Sequence, residues 1–119
     1  MKIEAHIINN IRIAEVIAEN IIINSIEDGL QLVADAYYQD FDCIIMYEKN
    51  ITPLFFNLKT GIAGEILQKF SNFRVRLAIV GDFEKYQNKS IRDFIFESNK
   101  NRQINFKATL KESLEKLSG

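Results

Sequence analysis

At 119 residues, 47% of them hydrophobic, the chain is long enough to bury a core without disulfides or metal and too apolar to be disordered. Its 15 basic and 16 acidic side chains leave a net charge of -1, so no strong field draws it to nucleic acid or to an anionic membrane. One cysteine, Cys43, excludes an internal disulfide and a multi-cysteine zinc site.

The chain opens on two β-type runs. Ile3 to Ile8 alternates, Asn9-Asn10 suits a tight turn, and Ile11 to Ile17 follows with Ile11, Ile13 and Glu15 on one face, so a hairpin is predicted. A short apolar piece, Ile21 to Ile23, leads to a helix capped by Ser25, with Asp28 three positions on. Its stripe is Ile26, Leu30, Val33, Ala34 and Tyr37. Asp42 to Tyr47 reads as a strand covered on both faces, with Cys43 an inert buried thiol. Thr52 and Pro53 begin a helical turn. A second helix carries Ile62, Ala63, Ile66, Leu67 and Phe70.

Val75 to Val80 is a further buried strand, ended by Gly81-Asp82. Ser90 is expected to cap a third helix bearing Ile91, Phe94 and Ile95. Ile104, Phe106 and Ala108 alternate as a last strand. Thr109 and Glu112 form a capping box ahead of Leu110, Leu114 and Leu117. The order β-β-α-β-α-β-α-β-α implies an α/β fold: a mixed, mostly parallel sheet with an N-terminal hairpin and helices packed on it. Without a linker or a repeat, one domain over 1–119 is expected. The N-terminus lacks a signal peptide's apolar stretch and no window approaches a membrane span, so the expected address is the cytoplasm.

The run Cys43 to Tyr47, then Ile51 to Phe56, then Asn57-Leu58-Lys59-Thr60-Gly61-Ile62-Ala63-Gly64 resembles the anti-sigma-factor-antagonist (STAS) fold. In that fold a buried strand leads to Asp-Ser-Ser-Gly at a helix start. The whole chain also resembles a bacterial family, domain-of-unknown-function family 4180, chiefly over Leu58 to Phe70 and Arg76 to Phe83. That likeness brings no activity. The STAS likeness implies a protein-interaction or regulatory module in which Thr60, standing where the second serine lies, is a phosphorylatable switch and Gly61 matches the glycine. Leu58 and Lys59 stand where the acid and the first serine would be. Thr60 alternatively caps the helix, or makes a small packing face with Gly61 and Gly64.

Ligands of parallel α/β sheets sit outside the carboxyl ends of the strands. There Glu48, Asn57, Lys59, Thr60 and Asp82 are expected to converge on one surface, either a solvated rim or the site of a small-molecule-binding domain or minor enzyme. Neither a phosphate loop nor a dinucleotide fingerprint is present, and His6 is the only histidine. No catalytic set, metal site or cofactor is therefore expected. Lys89, Arg92, Lys100 and Arg102 form a basic cluster that would suit RNA or an acidic partner, but Asp93 and Glu97 dilute it and favour a solvated face. Phe83 and Tyr86 beside it suit either a protein partner or a cover over the sheet edge. A homodimer would use the hairpin edge, where backbone groups are unpaired.

Overall fold

The computed structural model describes residues 1–119. The strands are β1 (Lys2–Ile8), β2 (Ile11–Ile17), β3 (Cys43–Tyr47), β4 (Arg76–Val80) and β5 (Ile104–Lys107). The helices are α1 (Ile26–Tyr38), α2 (Ile62–Phe73), α3 (Lys89–Lys100) and α4 (Leu110–Ser118). This is the expected order. All five strands form one sheet in sequence order, with β1 antiparallel to β2 and the rest parallel. No helix is long and apolar enough to cross a membrane.

The hairpin is set by Asn9 and Asn10, both at positive φ (53° and 65°). That is the geometry a two-residue turn needs to match strand twist, and asparagine tolerates it. Beyond β2, Asn50 ties the connection down. Its side-chain amide donates to the carbonyls of Ala18 and Asn20, and its own carbonyl accepts from Ile22 and Ile23.

The sheet separates two cores. Ala14, Val16, Ile44, Met46, Leu77, Ile79 and Phe106 project to one face, where α1, α2 and α3 cover them in a cluster of 20 buried residues. Ile13, Cys43, Ile45, Ala78 and Val80 project to the other, covered by α4 through Leu117. Burial pushes the Cys43 thiol up to about 11, so it stays protonated.

Two expectations shift in register. The buried line of α1 runs through Gly29, Val33 and Ala36, while Leu30 and Tyr37 are exposed. Close helix contact turns α1: a Cβ at Gly29 would lie 2.9 Å from Cγ1 of Ile66 on α2. The small residue between elements is thus Gly29, since Gly61 and Gly64 face open space. Helix α3 begins two residues earlier than Ser90 implied. Asn88 is its N-cap, with Oδ1 accepting from the Ser90 N–H at 2.8 Å. The Ser25, Thr52 and Thr109 caps form as expected, each side-chain oxygen accepting a first-turn N–H.

Candidate functional site

The carboxyl ends of β3 and β4 bring Tyr47-Glu48 beside Val80-Gly81. Glu48 opens a 3-10 turn (Glu48–Asn50), and its side chain lies across Gly81. A Cβ on Gly81 would sit 2.6 Å from Glu48 Oε1, so only glycine lets the carboxylate lie there. The other oxygen, Oε2, accepts from the Tyr86 hydroxyl and takes the Lys85 ammonium at 2.9 Å. The Glu48 side chain is only 12% exposed. Burial first, then the bond to Glu48, raises the pKa of Tyr86. Tyr86 stacks on Phe56 with centroids 5.2 Å apart, and Phe83 packs edge-on against Phe106 at 5.1 Å. Glu48 is therefore the pin that holds the Gly81–Asn88 connection over an aromatic cluster.

The segment before α2 makes two more 3-10 turns, Pro53–Phe56 and Leu58–Thr60. Asn57 Oδ1 accepts from the Lys59 N–H at 3.3 Å. Gly61 sits at φ 77°, a left-handed position that favours glycine, and gives α2 no side-chain cap. Thr60 takes over that role. Its Oγ1 accepts from the Ile62 N–H at 3.2 Å and lies within donor range of the Leu54 and Asn57 carbonyls, at 2.8 and 2.9 Å. Asn57, Lys59, Thr60 and Gly61 are all exposed.

These residues do not converge as the sequence suggested. The Gly81–Asn88 connection divides the rim. On one side Asn57 and Lys59 line an open groove of about 710 Å³ with Phe56, Tyr86, Asn88 and Ile91. On the other, Asp82 lines a groove of about 1020 Å³ with Arg92, Asn99, Phe106 and Lys107. Glu48 lines neither; its Oε2 is engaged beneath the connection. Asp82 Oδ1 accepts from the Glu84 N–H and shapes the turn. In the basic cluster, Lys89 pairs with Asp93 at 2.5 Å and Lys100 with Glu97 at 3.5 Å, as on a solvated face.

A second polar group lies on the α4 face. Glu15 is 5% exposed; its Oε2 accepts from the Tyr47 hydroxyl at 2.5 Å, and its Oε1 meets His6 Nε2 at 2.8 Å. Burial, then the Glu15 bond and charge, pushes the Tyr47 hydroxyl up to about 12. The alternation of β2 places Glu15 beside Ile13, but its partners come from β1 and β3, a pairing that no single run displays. No three of the His, Cys, Asp and Glu side chains form a metal-binding group.

Residues 8–117 match the family described as Domain of unknown function (DUF4180). No curated protein and no solved structure matches the chain.

Proposed function

The chain belongs to that DUF4180 family, and on this premise we propose that it is a non-enzymatic regulatory or protein-interaction module of the bacterial cytoplasm. Its working surface is the Asn57 to Gly61 helix start together with the groove that runs to α3. The likeness of Asn57-Leu58-Lys59-Thr60-Gly61 to the STAS helix start supports a switch at Thr60.

One observation carries the reading: a single exposed hydroxyl, Thr60 Oγ1, joins the Pro53–Phe56 turn, the Leu58–Thr60 turn and the first amide of α2. A kinase that transfers a phosphoryl group from a nucleoside triphosphate to Oγ1 displaces its proton. The donor is then lost, and roughly -1.5 to -2 charges face the Leu54 and Asn57 carbonyls. Repulsion moves the 54–60 segment, which forms one wall of the groove, while the exposed α2 amide keeps an anionic partner. A partner seated in that groove loses its fit.

The test is an affinity capture from native lysate with wild type and Thr60→Glu, both first checked for equal helix content by circular dichroism. Proteins, small molecules and the bait's intact mass are read by mass spectrometry. A stoichiometric protein lost in Thr60→Glu is the expected result. A bound metabolite with no protein partner would overturn the reading and direct attention to the Asp82 groove.

A further inference from the structure

The two edges of the sheet are finished differently. At β5 the inward residues face β4: the carbonyls of Gln103 and Lys107 accept from the Leu77 and Gly81 N–H groups. The outward N–H of Phe106 donates to Asn99 Oδ1 of α3 at 2.7 Å, and that of Ala108 to Glu112 Oε2 of α4 at 3.3 Å. Helix side chains thus occupy this edge, a common protection against further strand pairing.

At β1 nothing equivalent is present. In a two-residue hairpin the pair flanking the turn exchanges both hydrogen bonds, and bonded pairs then alternate. Ile8–Ile11, His6–Ile13 and Glu4–Glu15 are therefore the bonded pairs. The Arg12 carbonyl points the other way, accepting from Asp42 beside β3, which confirms the alternation. The backbones of Ile3, Ala5 and Ile7 thus point out of the sheet. All three residues are exposed, Ile3 at 37% and Ile7 at 67%. The edge is seven residues long with neither proline nor bulge.

We infer that this edge is the interface of a homodimer, in which β1 pairs antiparallel with β1 of a second copy and the two sheets become one. The sequence of β1 selects the copy and the register. Outward residues must face outward residues, so the two-fold axis falls on one residue of the strand. Centred on Glu4, it sets two glutamates opposite each other; centred on His6, it sets two histidines together and shortens the overlap. Centred on Ala5, the whole of Lys2–Ile8 overlaps: Ile3 faces Ile7 of the second copy, Ala5 faces Ala5, and Glu4 faces His6 twice. Apolar pairs and hydrogen-bonding polar pairs directly across strands stabilise a sheet, and like charges oppose it. Each outward pair exchanges two N–H···O bonds. On the same face, Ile7 of the second copy arrives beside Ile3 at the mouth of an apolar groove bounded by Met1, Val16, Leu32 and Phe41. The edge lies across the sheet from α3, so the dimer leaves the Thr60 surface free.

Sedimentation velocity on the full chain tests this. Wild type sediments at twice the 13.8 kDa chain mass in the micromolar range. Ala5→Pro removes an N–H that the monomer does not use, and edge strands tolerate proline; it sediments as a monomer with unchanged circular dichroism. Should that variant unfold, Ile7→Lys, at a side chain largely in water, serves the same purpose. Register is read with Ala5→Cys, whose thiol is the only exposed one because Cys43 is buried: a short bis-maleimide joins two chains in high yield. A wild type that stays monomeric, a dimer that survives Ala5→Pro and Ile7→Lys, or an Ala5→Cys dimer that resists cross-linking each overturns the inference.

Discussion

The two faces of the sheet are held by different forces. Under α1, α2 and α3 lies hydrocarbon: Phe55, Phe70, Val33, Leu77 and Ile79 are fully or almost fully buried and ask only for shape. Under α4 the apolar cluster is six residues, and polar fixings complete it. The Arg76 guanidinium donates to the carbonyls of Leu117 and Arg102, at 3.1 and 2.6 Å, and holds down the end of α4. Burial lowers its pKa, a shift that attends a cation drawn out of water. Ser113, fully buried, donates to the Thr109 carbonyl, and Glu15 holds Tyr47 and His6. Apolar contact is non-directional, so the first face tolerates small displacements. The second depends on individual atoms, and single substitutions there remove identifiable bonds.

The largest test of that contrast is Phe70→Ala. Phe70 is 1% exposed on α2, in the middle of the larger core. Truncation removes transfer energy and leaves a cavity, lowering stability by about 3–5 kcal/mol. Urea denaturation reads it as a fall in midpoint with the slope kept. A loss below about 1 kcal/mol would mean that the three-helix face collapses around the gap and is less closely packed than its burial implies.

The same contrast explains what the sequence made legible. Elements of the three-helix face announce themselves by period. Ile62, Ala63, Ile66 and Phe70 keep helical spacing, and Cys43 to Tyr47 is an unbroken apolar run. The turn residues Asn9 and Asn10 and the caps Ser25, Thr52 and Thr109 act within four residues, so local sequence contains them. The misses are contacts between distant segments. The rotation of α1 depends on Ile66, 37 positions beyond Gly29. The Glu15–Tyr47 bond spans 32 positions and that of Arg76 to Leu117 spans 41. At the candidate site, strand order brings Glu48 to the rim as expected, but its capture by Tyr86 and Lys85 depends on the path of the Gly81–Asn88 connection, which no periodicity encodes.

A middle-sized effect falls on the α4 face. Glu15→Leu leaves the Tyr47 hydroxyl without its acceptor in a half-buried place and removes the partner of His6 Nε2. The expected loss is about 1–3 kcal/mol, the cost of an unmade bond at a desolvated donor. The sharper measurement is the double variant Glu15→Leu with Tyr47→Phe. Removing both partners of a buried bond is far less costly than removing one, so the second substitution restores part of what the first lost. Strictly additive losses would show that the two side chains are not coupled and would dissolve the distinction between the faces.

The smallest effect concerns pH. The molecule has one tyrosine–glutamate pair on each side of the sheet, Tyr47 with Glu15 and Tyr86 with Glu48, and both hydroxyls are raised. An unfolded tyrosine titrates near 10, and Tyr47 is pushed up to about 12 in the fold. A group raised in the folded state binds its proton more tightly there. Its stabilising share is therefore fully present below about pH 10 and is lost as pH rises towards about 12. Tyr47→Phe lowers stability at neutral pH by about 0.5–1.5 kcal/mol and flattens the alkaline decline, while the slope due to Tyr86 persists. Urea midpoints across that range, with tyrosinate absorbance followed in parallel, read both quantities. Equal alkaline slopes in wild type and Tyr47→Phe would mean that neither burial nor Glu15 holds the hydroxyl proton in the fold, and that the α4 face is kept closed by Leu117 and Arg76 alone.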